Sequence, residues 1–226
     1  MKIGIIGAGE IGGTLTRRLR ALGYDVTVAN SRGPETLAEL ARETGATAAT
    51  AQEAAHGRDL VIFSIPMKNV PQQRGLFDGV GPDVVVVDTC NYYPHQRDGR
   101  IDEIEAGMTE GRWVATQLGR PVVKAFNSIN WTRLLNNGRP KGDPARIAVP
   151  VAGDDAAAKA KVIDLLDALG FDGVDAGGLD DSWRQQPGTP CYGADMPKAK
   201  LLDALKAARP ERKAGFSGRP SEAQRR

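Results

Sequence analysis

The chain has 226 residues, 41% of them hydrophobic and only 5% aromatic, with a formal net charge of +2. That length suits one domain of generous size, or one domain with a small appendage, and the apolar share allows a core built from Ala, Val, Ile and Leu. Between Arg209 and Arg226 six Arg or Lys face two Glu, a local charge of +4 that leaves −2 on residues 1 to 208, so the body offers no basic surface for nucleic acid. Two cysteines, Cys90 and Cys191, lie outside any CxxC pair and there are two His, which argues against a zinc site. The opening MKIGIIGAGE reads as a strand rather than a signal peptide, and no apolar run approaches the roughly 18 residues of a membrane span. The expectation is a cytoplasmic protein with reduced thiols.

Lys2 to Ile6 reads as a buried strand. Ile11, Leu15, Leu19 and Leu22 then recur at helical spacing, with Gly23 as the stop. Asp25 to Ala29 is the second strand. Pro34 suits the first turn of a helix whose apolar face is Leu37, Leu40 and Ala41, and Gly45 ends it. Residues 46 to 50 suggest a short third strand. Four continuous apolar runs follow, DLVIFSIP (59–66), DVVVVDTCN (83–91), PVVKAFNSI (121–129) and RIAVPVAG (146–153). Runs of this kind, separated by helical stretches, mark strands covered on both faces. Asp154 or Asp155 can cap the next helix, Val162, Leu165, Leu166 and Leu169 form its buried stripe, and Gly170 stops it. Residues 171 to 176 add a last short strand. The segment DSWRQQPGTPCYGADMP (181–197) is irregular, and a final helix is expected from Lys198 to Ala208. The alternation implies an α/β fold, a doubly wound parallel sheet of the Rossmann type. Its expected parts are a nucleotide-binding domain over 1–178, a C-terminal segment over 179–208 serving substrate or dimer contacts, and a basic, disordered tail over 209–226.

GAGEIG places Gly7, Gly9 and Gly12 in the G-x-G-x-x-G pattern, with Ala8, Glu10 and Ile11 between them, after a strand and at the opening of a helix. Gly7 allows the tight turn, Gly9 lets backbone approach a pyrophosphate, and Gly12 lets the helix lie close on the strand. The helix N-terminus offers free N–H groups to phosphate. The second strand ends in Asn30, Ser31 and Arg32, where an NAD-binding chain would carry an acid for the ribose hydroxyls. Removing that acid and supplying a guanidinium suits a 2′-phosphate, so the expected cofactor is NADP. The ends of later strands nominate Ser64, Ile65 and Pro66, then Thr89, Cys90 and Asn91, then Ala125, Phe126 and Asn127 as neighbours of the nicotinamide. No catalytic acid–base residue is assigned: His56 sits in a connection, His95 follows a strand end, and the facing of Lys124 is ambiguous. That scarcity favours hydride exchange with a ring acceptor.

The ordered segments GAGEIG, NSRGPETL, FSIP, VVKAFNSI, VPVAGDD and GFDGVDAGGLDDSW together resemble the NADP oxidoreductases dependent on coenzyme F420, over about residues 1 to 192. The resemblance implies direct hydride transfer between NADPH and a deazaflavin or flavin-like acceptor, with coenzyme F420 as co-substrate. It matches Ser31 and Arg32 to the 2′-phosphate binders, and Ile65, Pro66 and Ala125 to Ile129 to segments around the two rings. It also implies a homodimer paired through C-terminal elements. The chain departs from deazaflavin-reducing members at Asn127-Ser128-Ile129-Asn130, where they often carry His-Thr-Ile-Pro, and at SWRQQPGTPCYG, where they continue with a long apolar helix. There Trp183, Pro187 and Tyr192 are candidates to close a different pocket. Two alternatives stay open. One is an NADPH-dependent reductase of a small carbonyl or imine, using Lys124, His95 or Tyr92 for the proton. The other is an NADPH sensor without turnover.

Overall fold

The computed structural model describes residues 1–218. In chain order the elements are β1 (Lys2–Ile6), α1 (Glu10–Ala21), β2 (Asp25–Ala29), a 3-10 turn (Pro34–Leu37) leading into α2 (Ala38–Thr44), β3 (Thr47–Ala48), α3 (Ala51–Ala55), β4 (Leu60–Phe63), β5 (Val85–Asp88), α4 (Asp102–Glu105), α5 (Glu110–Leu118), β6 (Val123–Lys124), α6 (Trp131–Asn136), β7 (Ala148–Val151), α7 (Ala156–Leu169), β8 (Asp172–Asp175) and α8 (Lys198–Ala207). Six strands form one parallel sheet in the order β3-β2-β1-β4-β5-β6. The order reverses at β1, so a crevice opens beyond the carboxyl ends of β1 and β4.

Both faces of the sheet are buried, which is why its strands read as continuous apolar runs. Ile3, Ile5, Val26, Val28, Leu60 and Ile62 pack on one face with Leu15 and Leu19 of α1 and Leu165 of α7. Ile6, Val61, Phe63 and Val86 pack on the other with Ala54 of α3 and Val114 of α5. The α7 stripe predicted from spacing, Val162, Leu165, Leu166 and Leu169, is buried throughout. Asp155 caps that helix by accepting from the N–H groups of Ala157 and Ala158, and Gly170 ends it in the left-handed conformation. Asp154 turns instead to the Leu179 N–H at 2.8 Å.

Three expectations need correction. The run 121–129 contributes only the two-residue β6, and β7 does not extend the main sheet. β7 pairs with β8 in a separate parallel sheet and meets β6 through a single antiparallel bridge, Lys124 to Ala152. The next bonded pair along that ladder would join Phe126 to Pro150. Phe126 has φ 61, outside the strand region, and Pro150 has no N–H to give, so pairing stops. The third correction concerns the tail. Residues 209–218 fold back on the body: Arg212 Nη2 donates to Glu110 Oε1 at 2.9 Å and to Gln186 Oε1 at 2.6 Å, and Ser217 Oγ donates to Glu105 Oε2 at 2.9 Å. Glu105 and Glu110 are buried and need donors, a demand that local composition does not reveal. Residues 219–226 of the expected tail lie outside the described residues.

Candidate functional site

The glycine loop divides its labour. Gly7 has φ 104, and a Cβ there would lie 2.0 Å from the Ser64 carbonyl oxygen; a Cβ on Gly12 would lie 1.8 Å from that of Gly7. Both glycines are therefore required by the packing of β1, α1 and the end of β4. A Cβ on Gly9 would meet nothing within 4 Å. Gly9 is also the N-cap of α1, and no side chain caps that helix. Its first N–H groups thus have no side-chain cap among the described residues, the arrangement that can receive an anion.

Two clefts meet at this loop. The first, about 280 Å³, is lined by Gly7, Ala8 and Gly9, by Asn30, Ser31 and Arg32, and by Ser64, Ile65 and Pro66. The second, about 340 Å³, shares Gly9, Ser64, Ile65 and Pro66 and adds Glu10, Ile11, Thr89, Cys90, Asn91, Tyr93, Arg97, Asn127, Ile129, Asn130, Trp131 and Tyr192. One trough therefore runs from Arg32 past Gly9 to Tyr192.

At the first end Asn30 builds the turn rather than reaching into it. Its Oδ1 accepts from the Arg32 N–H at 2.9 Å, and its Nδ2 donates to Thr36 Oγ1 at 2.8 Å. This Asx turn leaves the exposed Ser31 and Arg32 side chains at the rim. At the other end a carboxamide network fixes the floor. Asn127 Nδ2 donates to Gln185 O at 2.8 Å, Gln185 Nε2 donates to Asn127 Oδ1 at 2.8 Å, and Asn91 Nδ2 donates to Asn127 O at 2.8 Å. The left-handed Phe126 backbone supplies the bend that brings Asn127 to this floor. Tyr93 and Tyr192 meet through their hydroxyl groups, and the Phe216 ring packs against both, at 6.3 and 6.5 Å between centroids. The Arg97 guanidinium lies 5.1 Å from the centroid of the Tyr93 ring, is paired with Asp98 at 2.9 Å, and donates to Asn91 O at 2.5 Å.

Fifteen of the eighteen residues nominated from sequence line this trough. Gly12 acts behind the wall, through packing. Ala125 and Phe126 are the corrections: both are fully buried and line neither cleft, and Ala125 donates its N–H to Asp88 O at 3.1 Å. The three proton carriers considered from sequence are also displaced. Lys124 is sealed beneath the site, with its ammonium 2.8 Å from Asp88 Oδ2 and 2.5 Å from Cys90 O, and both partners of the ion pair are 0% exposed. Burial alone would lower its pKa, but Asp88 and Glu110 outweigh that and hold it above the ordinary lysine value. His95 is exposed and lines neither cleft. Tyr92 is buried, its hydroxyl accepts the Ile101 N–H at 3.0 Å, and burial pushes its pKa up to about 12. Trp183 lines a separate cavity beneath the C-terminal segment, Pro187 lines neither cleft, and Tyr192 does line the second. Sequence reading missed Tyr93, Arg97, Asn130 and Trp131. The aromatic and charged NYYPHQRDG directly after β5 was the signal for the first two.

A trough at the point where the order of a Rossmann-type sheet reverses bears on kinship. Residues 2–92 match the family described as NADP oxidoreductase, coenzyme F420-dependent. The resemblance read in the sequence is borne out over that stretch. The Escherichia coli (strain K12) protein YjhV is 43% identical over 74 residues, which cover 33% of this chain and 54% of that protein, so the chain spans about half of that curated relative. Among solved structures, the SMa0349 protein of Sinorhizobium meliloti is 28% identical with a TM-score of 0.75, over 88% of this chain and 96% of that one. A protein of Arthrobacter sp. FB24 described as an F420-dependent NADP reductase is 26% identical with a TM-score of 0.65, over 80% of this chain and 87% of that one. By these likenesses the chain has the frame of an NADP-dependent oxidoreductase. Among the described residues, no helix is long and apolar enough to cross a membrane.

Proposed function

We propose that this oxidoreductase frame binds NADP(H) along the trough and exchanges a hydride between the nicotinamide and a deazaflavin or flavin-like acceptor. The observation that carries the reading is the continuity of the two clefts through Gly9, Ser64, Ile65 and Pro66. The residues fit the cofactor. The uncapped N-terminus of α1, opened by Gly9 and flanked by Ala8, Glu10 and Ile11, would receive the pyrophosphate. Ser31 and Arg32, presented by the Asn30 turn, would hold the 2′-phosphate. Ile65 and Pro66 would form one wall for the nicotinamide, and Asn91 and Asn127 its floor. Bound there, NADPH supplies the hydride. The protein supplies alignment of two flat groups, with Tyr93, Trp131 and Tyr192 as aromatic walls beyond the nicotinamide position.

A second reading, reduction of a small carbonyl or imine, is favoured by one observation: a pair of tyrosine hydroxyls lies in the same cleft. The deciding experiment follows NADPH oxidation by absorbance with the oxidised deazaflavin coenzyme, with FMN, and with no acceptor. Rapid turnover with the deazaflavin alone supports the first reading. NADPH binding without turnover on either ring overturns it and moves the search to carbonyls and imines.

A further inference from the structure

We propose that the Tyr93–Tyr192 hydroxyl pair is the proton source that accompanies hydride transfer in this cleft. The inference deepens the reading above and rests on it. Two phenols carry two O–H protons, and their mutual contact uses one. Neither hydroxyl has another hydrogen-bond partner among the described residues, so the second proton has no protein acceptor and is free for a group in the cleft. Two titratable groups that line the cleft are otherwise committed. The Cys90 thiol faces Phe63 O and is pushed well up by burial and by Asp88. Arg97 is held by Asp98 and Asn91 O. Glu10 stands exposed to solvent at the α1 N-terminus, away from the tyrosine pair in sequence and in the open part of the cleft shared with Gly9 and Ile11.

The pair is also held in place from behind. Phe216, from the segment that Arg212 pins to Glu110, packs on both rings, and Arg97 lies over the Tyr93 face. As the acceptor takes the hydride of NADPH, at a ring carbon of a deazaflavin, a ring nitrogen of a flavin or the carbon of a C=N or C=O group, an electron pair moves through the conjugated ring or the double bond onto a nitrogen or oxygen. One phenol O–H breaks, and its proton forms the new N–H or O–H bond. The phenolate so left takes the proton of its neighbour, and water reprotonates that second oxygen. Hydride, proton and charge then balance for a ring acceptor and for a small carbonyl or imine alike.

The test uses Tyr192→Phe and Tyr93→Phe, which keep both rings and their packing on Phe216. Turnover of NADPH is measured with the oxidised deazaflavin, FMN and a cyclic imine, and NADPH affinity is measured separately by fluorescence titration. The expected result is a fall in kcat on the order of 10²-fold or more in at least one variant, the scale of general acid catalysis, with the Kd for NADPH changed less than about twofold. On the protein without nucleotide, the wild-type minus Tyr192→Phe alkaline difference spectrum should show a phenol ionising well above the ordinary tyrosine range. Its titratable or charged neighbours are Tyr93, Glu110 and Arg97, and burial dominates the shift. An active wild type with both variants equally active, or a Tyr192 phenol that titrates normally, overturns the pair alone. A wild type that binds NADPH but reduces none of the three acceptors overturns the functional reading and the pair with it.

Discussion

Arg212 and Glu110 lie 102 positions apart in sequence and form a 2.9 Å ion pair with the carboxylate fully buried. Glu110 Oε2 also accepts the Tyr92 N–H at 3.1 Å, and the Arg212 guanidinium lies 5.2 Å from the centroid of the Tyr92 ring. The pair ties the last described segment to α5 and keeps Phe216 behind the two cleft tyrosines. Arg212→Met would leave a buried carboxylate without its cation. The expected loss is about 3 kcal/mol in urea unfolding, the low end for breaking a buried pair because Arg212 keeps 13% of its side chain exposed.

The same carboxylate carries a pH signature. Burial raises the Glu110 pKa, with Arg212 and Lys124 offsetting part of the rise. A folded-state pKa above the unfolded value of about 4.3 means that folding favours the protonated form. Its contribution is fully present below the unfolded pKa and is lost as pH rises through the folded one. Glu110→Gln lacks this component, so the stability difference, wild type minus variant, should decline with rising pH from about 4.3 upward. A difference that stays flat or grows with pH would contradict the assigned shift.

Gly9 and Gly12 should separate binding from folding. Gly9→Ala meets no atom within 4 Å, so its effect on stability should stay within about 0.5 kcal/mol while NADPH affinity falls at least about tenfold. Gly12→Ala places a methyl 1.8 Å from the Gly7 carbonyl oxygen and should lower the melting temperature even without nucleotide. Thermal melts with and without NADPH distinguish the two outcomes.

Arg32→Ala should weaken NADPH binding by roughly 1.5–3 kcal/mol, the range for a hydrogen bond to a charged group, and leave NADH binding nearly unchanged. Titration with both nucleotides is the measurement. Equal losses would remove the 2′-phosphate assignment.

Lys124→Met should act as a structural lesion. It strands the Asp88 carboxylate, which is 0% exposed, at a cost of about 3–5 kcal/mol in unfolding free energy. His95→Gln, at an exposed position outside both clefts, should leave kcat and stability unchanged. A kcat loss in His95→Gln would return that residue to the list of proton carriers.

The half around the glycine loop was legible because its constraints are local. The turn at Gly7, the helix start at Gly9, the missing acid at Asn30 and the two-faced apolar strands each depend on residues within a few positions. β2 has the bounds expected from sequence, and the α7 stripe and its glycine stop lie where spacing put them. The second cleft depends on contacts between distant segments. Asn91, Asn127 and Gln185 form one network only after β5, β6 and the irregular segment converge. Tyr93 meets Tyr192 across 99 positions, and no period or motif encodes that contact. The direction of β7 turned on two residues that forbid one pairing, Phe126 by its backbone and Pro150 by its missing N–H. The sequence by itself determined the strands from β1 to β5 and the glycine loop after β1, since propensity and steric rules act along the chain. Only the tertiary structure decided which groups line the second cleft, because burial and long-range hydrogen bonding choose among side chains that local pattern leaves equal.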